Sequence, residues 1–130
     1  MALSSNPIQY DEDIQIHHDA LHTSLPVVAQ EVGAALSYRL AAVLSGLTDT
    51  GLIREWAAGH TTVRNPEAER RLRTAYEVLL LLRPHDGDET IRAWFIGMDP
   101  TLNDVSPSSV IREGRFTDVI DAAHAFIAEG

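Results

Sequence analysis

Along most of this chain apolar residues recur at spacings of three and four, the period of one face of a helix, and capping residues interrupt the pattern often. Ser24 can cap a helix that carries Pro26 in its first turn and runs through Val32 to about Ala35. Ser37 can cap a second, with Leu40, Val43 and Leu44 on one face and Gly46 as its stop. Thr48 or Asp49 can cap a third, from Thr50 to Ala58, closed by Gly59. Asn65-Pro66-Glu67 opens a long helix with a cap, a proline at its first position and an acid where the helix dipole favours one. That helix carries Leu72, Ala75, Tyr76, Leu79 and Leu82 and stops before Pro84.

Beyond the polar joint His85-Asp86-Gly87, Asp88 can cap a helix holding Ile91, Trp94 and Phe95, closed by Gly97. Asp99-Pro100 reads as a turn, and Ser106-Pro107 as the start of a short helix through Ile111 that ends at Gly114. Phe116, Val119, Ile120, Ala123, Phe126 and Ile127 fit a last amphipathic helix. Strand-like alternation of useful length is missing, so the pattern predicts an all-α fold of seven helices. Residues 1–24, polar and without periodicity, read as an acidic and partly irregular arm. The one internal boundary falls near Pro84 to Asp88, which divides the rest into a segment over 25–84 and a smaller lobe over 85–130.

Composition narrows the classes of function. At 130 residues the chain fits one core or at most two small lobes, and 45% apolar with 22% charged residues is ordinary for a globular protein. Without cysteine, disulfides, thiolate metal sites and cysteine nucleophiles are excluded. No uninterrupted apolar run exceeds that of Val78 to Leu82, far below the ~20 residues of a membrane span. The N-terminus has no basic cluster ahead of an apolar stretch, so the expectation is a soluble cytoplasmic protein. The net charge of −9 argues against indiscriminate nucleic-acid binding. Its distribution is uneven: residues 1–36 contribute −5, residues 37–83 +2 and residues 84–130 −6. Positive charge gathers in the middle third, where a local basic face can persist. Every basic side chain other than histidine is an arginine.

That middle third holds the most specific local arrangement. A helix from Tyr38 to Ser45, a turn at Gly46 and a second helix with Leu52, Ile53 and Trp56 have the spacing of a helix-turn-helix unit. In such a unit Thr50 and Arg54 point outward, while Leu52, Ile53 and Trp56 face the unit's own core. Arginine can bond guanine with two hydrogen bonds, and threonine can touch a phosphate or a thymine methyl. His60, Thr61, Thr62 and Arg64 follow in a polar loop suited to phosphate contacts. Asp49 and Glu55 in the same turn oppose phosphate binding.

Other candidates are weaker. Arg70, Arg71 and Arg73 are interleaved with Glu67, Glu69 and Glu77, which reads as a solvated face of ion pairs at helical spacing. His18-Asp19-Ala20-Leu21-His22 resembles a zinc-binding pair of histidines on one helix, but it lacks the glutamate after the first histidine and a third ligand in register. There is no glycine-rich phosphate loop and no serine nucleophile beside a histidine. The expectation is a protein that is not an enzyme and needs no cofactor or metal.

The stretch from Ile91 to Glu129 adds a resemblance. It runs Ile91-Arg92-Ala93-Trp94-Phe95, Asp99-Pro100-Thr101-Leu102, Ser106-Pro107, Val110-Ile111-Arg112-Glu113-Gly114, then an apolar helix. This order resembles the toxin-binding domain of the Xre/MbcA/ParS antitoxins, with an aromatic-tipped helix, an Asn/Asp-Pro-x-Leu turn, a short proline-started helix and a glycine stop. Upstream, Arg54-Glu55-Trp56-Ala57-Ala58-Gly59 is similar to the end of the same family's helix-turn-helix, ahead of a long linker helix. The resemblance covers roughly Leu36 to Glu129. Two departures stand out: Asp99 replaces the usual asparagine, and Asn103-Asp104-Val105-Ser106 replaces a glycine-rich stretch.

The resemblance implies a type II antitoxin that binds and blocks a RES-domain toxin, an enzyme that depletes NAD, and that represses its own operator DNA. It implies a homodimer or a toxin–antitoxin hetero-oligomer. The residues carried over as partner-binding are Arg92, Trp94, Asp99, Pro100, Leu102, Pro107, Arg112 and Gly114, with Leu102 projecting as an anchor beside Trp94. An acidic lobe would complement a basic nucleotide-binding cleft. Two alternatives remain: a stand-alone helix-turn-helix regulator whose C-terminal lobe only dimerises, and a small metal-dependent enzyme built on the N-terminal histidines.

Overall fold

The structure, a computed structural model, describes residues 7–129. It is all-helical: α1 (Pro7–His22), α2 (Leu25–Leu36), α3 (Tyr38–Leu44), α4 (Gly51–Ala57), α5 (Pro66–Leu82), α6 (Asp88–Ile96), a 3-10 turn (Pro100–Leu102), α7 (Pro107–Arg112) and α8 (Phe116–Glu129). Among the described residues there is no strand, only an isolated antiparallel bridge between Asp99 and Val105. None of these helices alone is long and apolar enough to cross a membrane.

Residues 7–22 correct the expected irregular arm: they form the sixteen-residue α1, which makes eight α-helices among the described residues where seven were expected. Tertiary contacts, not local pattern, hold this helix. Ala20 is buried, Ile16 packs against the core, and α5 lies beneath. His17 Nδ1 meets Glu77 Oε1 at 2.9 Å. At the end of α1, where backbone carbonyls run out of partners, Arg73 Nη1 from α5 donates to Ala20 O at 3.0 Å and to Thr23 O at 2.7 Å. Residues 1–6 of that arm lie outside the described residues.

Elsewhere most helices start and stop where the punctuation sets them, but α4 begins later than expected, with Thr50 instead of Thr48 or Asp49 at its cap position. Asn65 Oδ1 accepts from Ala68 N, Ser106 Oγ from Ser109 N, and Ser37 Oγ from Leu40 N. Ser24 takes the cap position of α2 without a side-chain bond, and Gly87 takes the position expected of Asp88. Gly46, Gly59 and Gly114 follow α3, α4 and α7 with φ between +82° and +93°. At each one the next amide reaches back five residues: Leu47 to Ala42 O, His60 to Glu55 O and Arg115 to Val110 O. This left-handed stop returns the chain sharply and satisfies a terminal carbonyl.

The chain bends by 112° between α2 and α3. Ser37 makes that corner with φ 97° and ψ 150°, a region that side chains rarely enter. Tyr38 then stands against Gly33, where a Cβ would come within 2.6 Å of the tyrosine ring. Helix α2 is the centre of the molecule and contacts α3, α4, α5 and α6. Its Val28, Ala29, Val32, Ala35 and Leu36 are buried. Ile53 and Trp56 of α4 are fully buried, as are Phe95 of α6 and Ile111 of α7. The buried residues form one cluster that continues across the Pro84–Asp88 joint. Arg83, just before that joint, bonds Glu31 of α2 at 2.8 Å and Asp88 of α6 at 3.5 Å. Burial works against the Arg83 charge, but the hydrogen bonds and attraction of the two carboxylates prevail and hold its pKa above the ordinary guanidinium value.

Candidate functional site

Helices α3 and α4 are joined by the segment 45–50, and α4 buries one face against α2. Ile53 and Trp56 lie on that buried face and Leu52 is half-buried at its edge. Gln30 Nε2 of α2 donates to Ala57 O at 2.7 Å, which fixes the end of α4. Arg54 is exposed on the other side. Its Nε donates to Thr50 Oγ1 at 3.0 Å, and its Cζ stands 4.6 Å from the centroid of the Tyr38 ring. A long, flexible cation is therefore held from two directions.

The loop after α4 is held as well, by Trp56 Nε1 donating to Val63 O at 3.0 Å. His60, Thr62 and Arg64 are exposed and Thr61 is half-buried. The structure does not leave all of these free. His60 Nδ1 meets Glu55 Oε2 at 2.9 Å, and Arg64 stands 3.8 Å from Glu69. Asp49, also exposed, accepts from Gly51 N through Oδ1 at 2.8 Å. Thr50 and Arg54 are brought together, then, while His60 and Arg64 already have acidic neighbours.

The second candidate surface surrounds residues 94–105. Trp94 Nε1 donates to Asp99 Oδ2 at 3.1 Å, and Asp99 Oδ1 accepts from Thr101 N and Thr101 Oγ1. The Trp94 ring meets Phe95 edge-on and leans on Phe126. Ser108 Oγ donates to Phe95 O at 2.6 Å, tying α7 to α6. Where the resemblance has glycines, Asn103 and Asp104 take φ of 58° and 63°. Asparagine and aspartate are the side-chain-bearing residues that best tolerate this conformation.

Burial corrects part of the expected partner-binding set. Leu102 is 3% exposed and packs inward instead of projecting, because the 3-10 turn directs it into the core. Trp94, Asp99 and Pro107 are also buried, so they shape this surface from below. Pro100, Arg112 and Gly114 are exposed. Arg92 is exposed too, although its Nε donates to Ala35 O at the end of α2. Two residues outside the expected set stand out. Ile96 and Met98, on either side of Gly97, are 61% and 79% exposed. Two large apolar residues flanking a helix-stopping glycine were the available signal.

The remaining sequence candidates find different surroundings. Arg71 and Arg73 pair with Glu67 and Glu69 at helical spacing, as expected. Arg73, however, is largely buried by its bonds to the end of α1, which corrects the picture of a wholly solvated face. Arg70 lies over the Phe116 ring at 4.8 Å. It lines a groove of about 720 Å³ between α1, α5 and α8 whose apolar wall includes Leu21, Phe116 and Ile120. No local pattern announced this groove, since three distant segments build it. On α1 the His18 and His22 rings are 4.3 Å apart, and among the described residues no three His, Asp or Glu side chains converge in a metal-holding cluster.

Comparison with known proteins found no match to a family model, to a curated protein or to a solved structure.

Proposed function

We propose that this chain is the antitoxin of a type II toxin–antitoxin pair. In this reading the C-terminal surface docks on a RES-domain toxin and blocks its NAD-degrading site, while α3 and α4 form a helix-turn-helix that reads operator DNA. The observation that carries the proposal is the exposed pair Ile96 and Met98 beside the loop fastened by Asp99. An apolar edge that the fold leaves uncovered, on a backbone held by buried hydrogen bonds, suits protein docking better than solvent exposure. The toxin class comes from the Trp94, Asp99-Pro100, Pro107 and Gly114 resemblance. The DNA half draws on Arg54 and on the α3–α4 spacing.

Co-expression tests the first half. A RES-domain protein encoded beside this chain should lose its toxicity and co-purify with it. Met98→Asp should weaken the complex by about 2 kcal/mol, in the range of a buried anchor residue. A toxin that stays active and unbound beside the wild-type chain contradicts the proposal.

A stand-alone DNA-binding regulator is the second reading. The core shared by α2, α5 and α6–α8 favours it, because the C-terminal helices then serve the fold of the DNA-reading part. In that case the chain footprints its operator in full while no neighbouring protein binds it.

A further inference from the structure

We infer that Tyr38 and Thr50 are positioning residues that aim Arg54 at a guanine in the DNA major groove. The inference rests on the DNA-reading half of the proposed function and names both the base and the residues that select it.

A guanidinium carries five N–H donors in a planar fork. In Arg54 the Nε donor is taken by Thr50 Oγ1 at 3.0 Å, and the Tyr38 ring covers one face with its centroid 4.6 Å from Cζ. The outer edge remains, with Nη1 and Nη2 side by side. Two parallel donors match the paired acceptors O6 and N7 of guanine. Adenine sets an amino donor beside its N7, cytosine offers an amino donor, and thymine offers one acceptor beside a methyl, so each leaves a donor unmatched. Among the described residues no carboxylate pairs with Arg54, since Glu55 meets His60 and Asp49 caps Gly51.

The platform beneath the guanidinium is itself fixed. Tyr38 follows directly on the Ser37 corner, and its ring is seated so closely on Gly33 that a Cβ there would approach Cε1 and Cζ to 2.6 Å. Thr50 makes no side-chain capping bond to α4, so its hydroxyl serves Arg54 alone in this turn. Arg54 thus presents its free edge with little rotational freedom left to lose on binding.

Selection from a randomised duplex DNA pool by the full-length chain, read by sequencing, tests the inference. Wild type should enrich sites with one fixed G·C pair, and Arg54→Ala should lose the preference at that pair only. Thr50→Val and Tyr38→Leu should cut the preference for that guanine by roughly ten-fold and leave the other positions unchanged, whereas Tyr38→Phe, which keeps the stacking face, should retain it. Thr50→Val also guards against a folding defect in Tyr38→Leu, because valine matches threonine in shape and removes the hydroxyl that holds Arg54. If Arg54→Ala erases the guanine preference but Thr50→Val and Tyr38→Leu keep it, positioning is overturned and DNA reading stands. A uniform loss of affinity at all positions in the Tyr38 and Thr50 variants also overturns it. If wild type enriches no sequence at all, DNA reading itself fails and the inference falls with it.

Discussion

Asp99 is buried at 8% exposure and accepts from Trp94 Nε1 and from both the amide and the hydroxyl of Thr101. Removing it leaves a buried indole N–H without a partner. Asp99→Ala should therefore cost about 3 kcal/mol in urea unfolding, with Asp99→Asn losing less because its amide oxygen still accepts. Ser37 poses the opposite balance. Its side chain caps α3 through Leu40 N, but its backbone sits at φ 97°. Ser37→Ala loses the cap and keeps the strain, so it should destabilise by about 1 kcal/mol. Ser37→Gly also loses the cap but relaxes the corner, and should stay within about 1 kcal/mol of wild type. At this scale the sequence was legible wherever a side chain bonds its own turn, as Asn65, Asp99 and Ser106 do. The direction of Leu102 was not, because a single 3-10 turn is too short to show a period and the core it faces is built by distant helices.

Among the elements, α1 shows what local pattern cannot carry. Its outward residues Tyr10, Ile14 and Leu21 are more than half exposed, so the period of its buried side is obscured. What stabilises it is Arg73, about fifty residues further along the chain, bonding Ala20 O and Thr23 O. Arg73→Ala should lower stability by about 2 kcal/mol, the scale of charge-assisted bonds to buried carbonyls. Amide exchange should then rise first in α1. Equal protection of α1 in the variant and the wild type would contradict this. The helices α2, α3, α5 and α8 were readable from their apolar spacing, helped by Ser24, Ser37 and Asn65 at the starts of the first three, the Gly46 stop after α3 and Pro84 beyond α5. Gly33, inside α2, carries no local signal of its role, which comes from the Tyr38 ring seated on it. Gly33→Ala gains helix propensity and loses the tyrosine seat, and the 2.6 Å approach makes the loss larger, so a net cost of about 1 kcal/mol is expected in thermal unfolding.

For the molecule as a whole, the joint at Pro84 to Asp88 marks a turn in a continuous core rather than a gap between cores. Arg83 ties α2 and α6 across it, and Arg92 reaches back to Ala35 O. Calorimetry should accordingly show one cooperative unfolding transition, and two separated transitions would contradict the shared core. The same continuity places Arg54 and the Ile96–Met98 edge on one body. In the proposed function the edge at Ile96 and Met98 disarms a NAD-degrading partner. Cellular NAD tests this, measured while a RES-domain protein encoded beside this chain is expressed with wild-type chain or with the Ile96→Asp/Met98→Asp double variant. NAD should stay at its normal level with the wild type and collapse with the variant; collapse with both, or protection by both, would overturn the proposed docking edge.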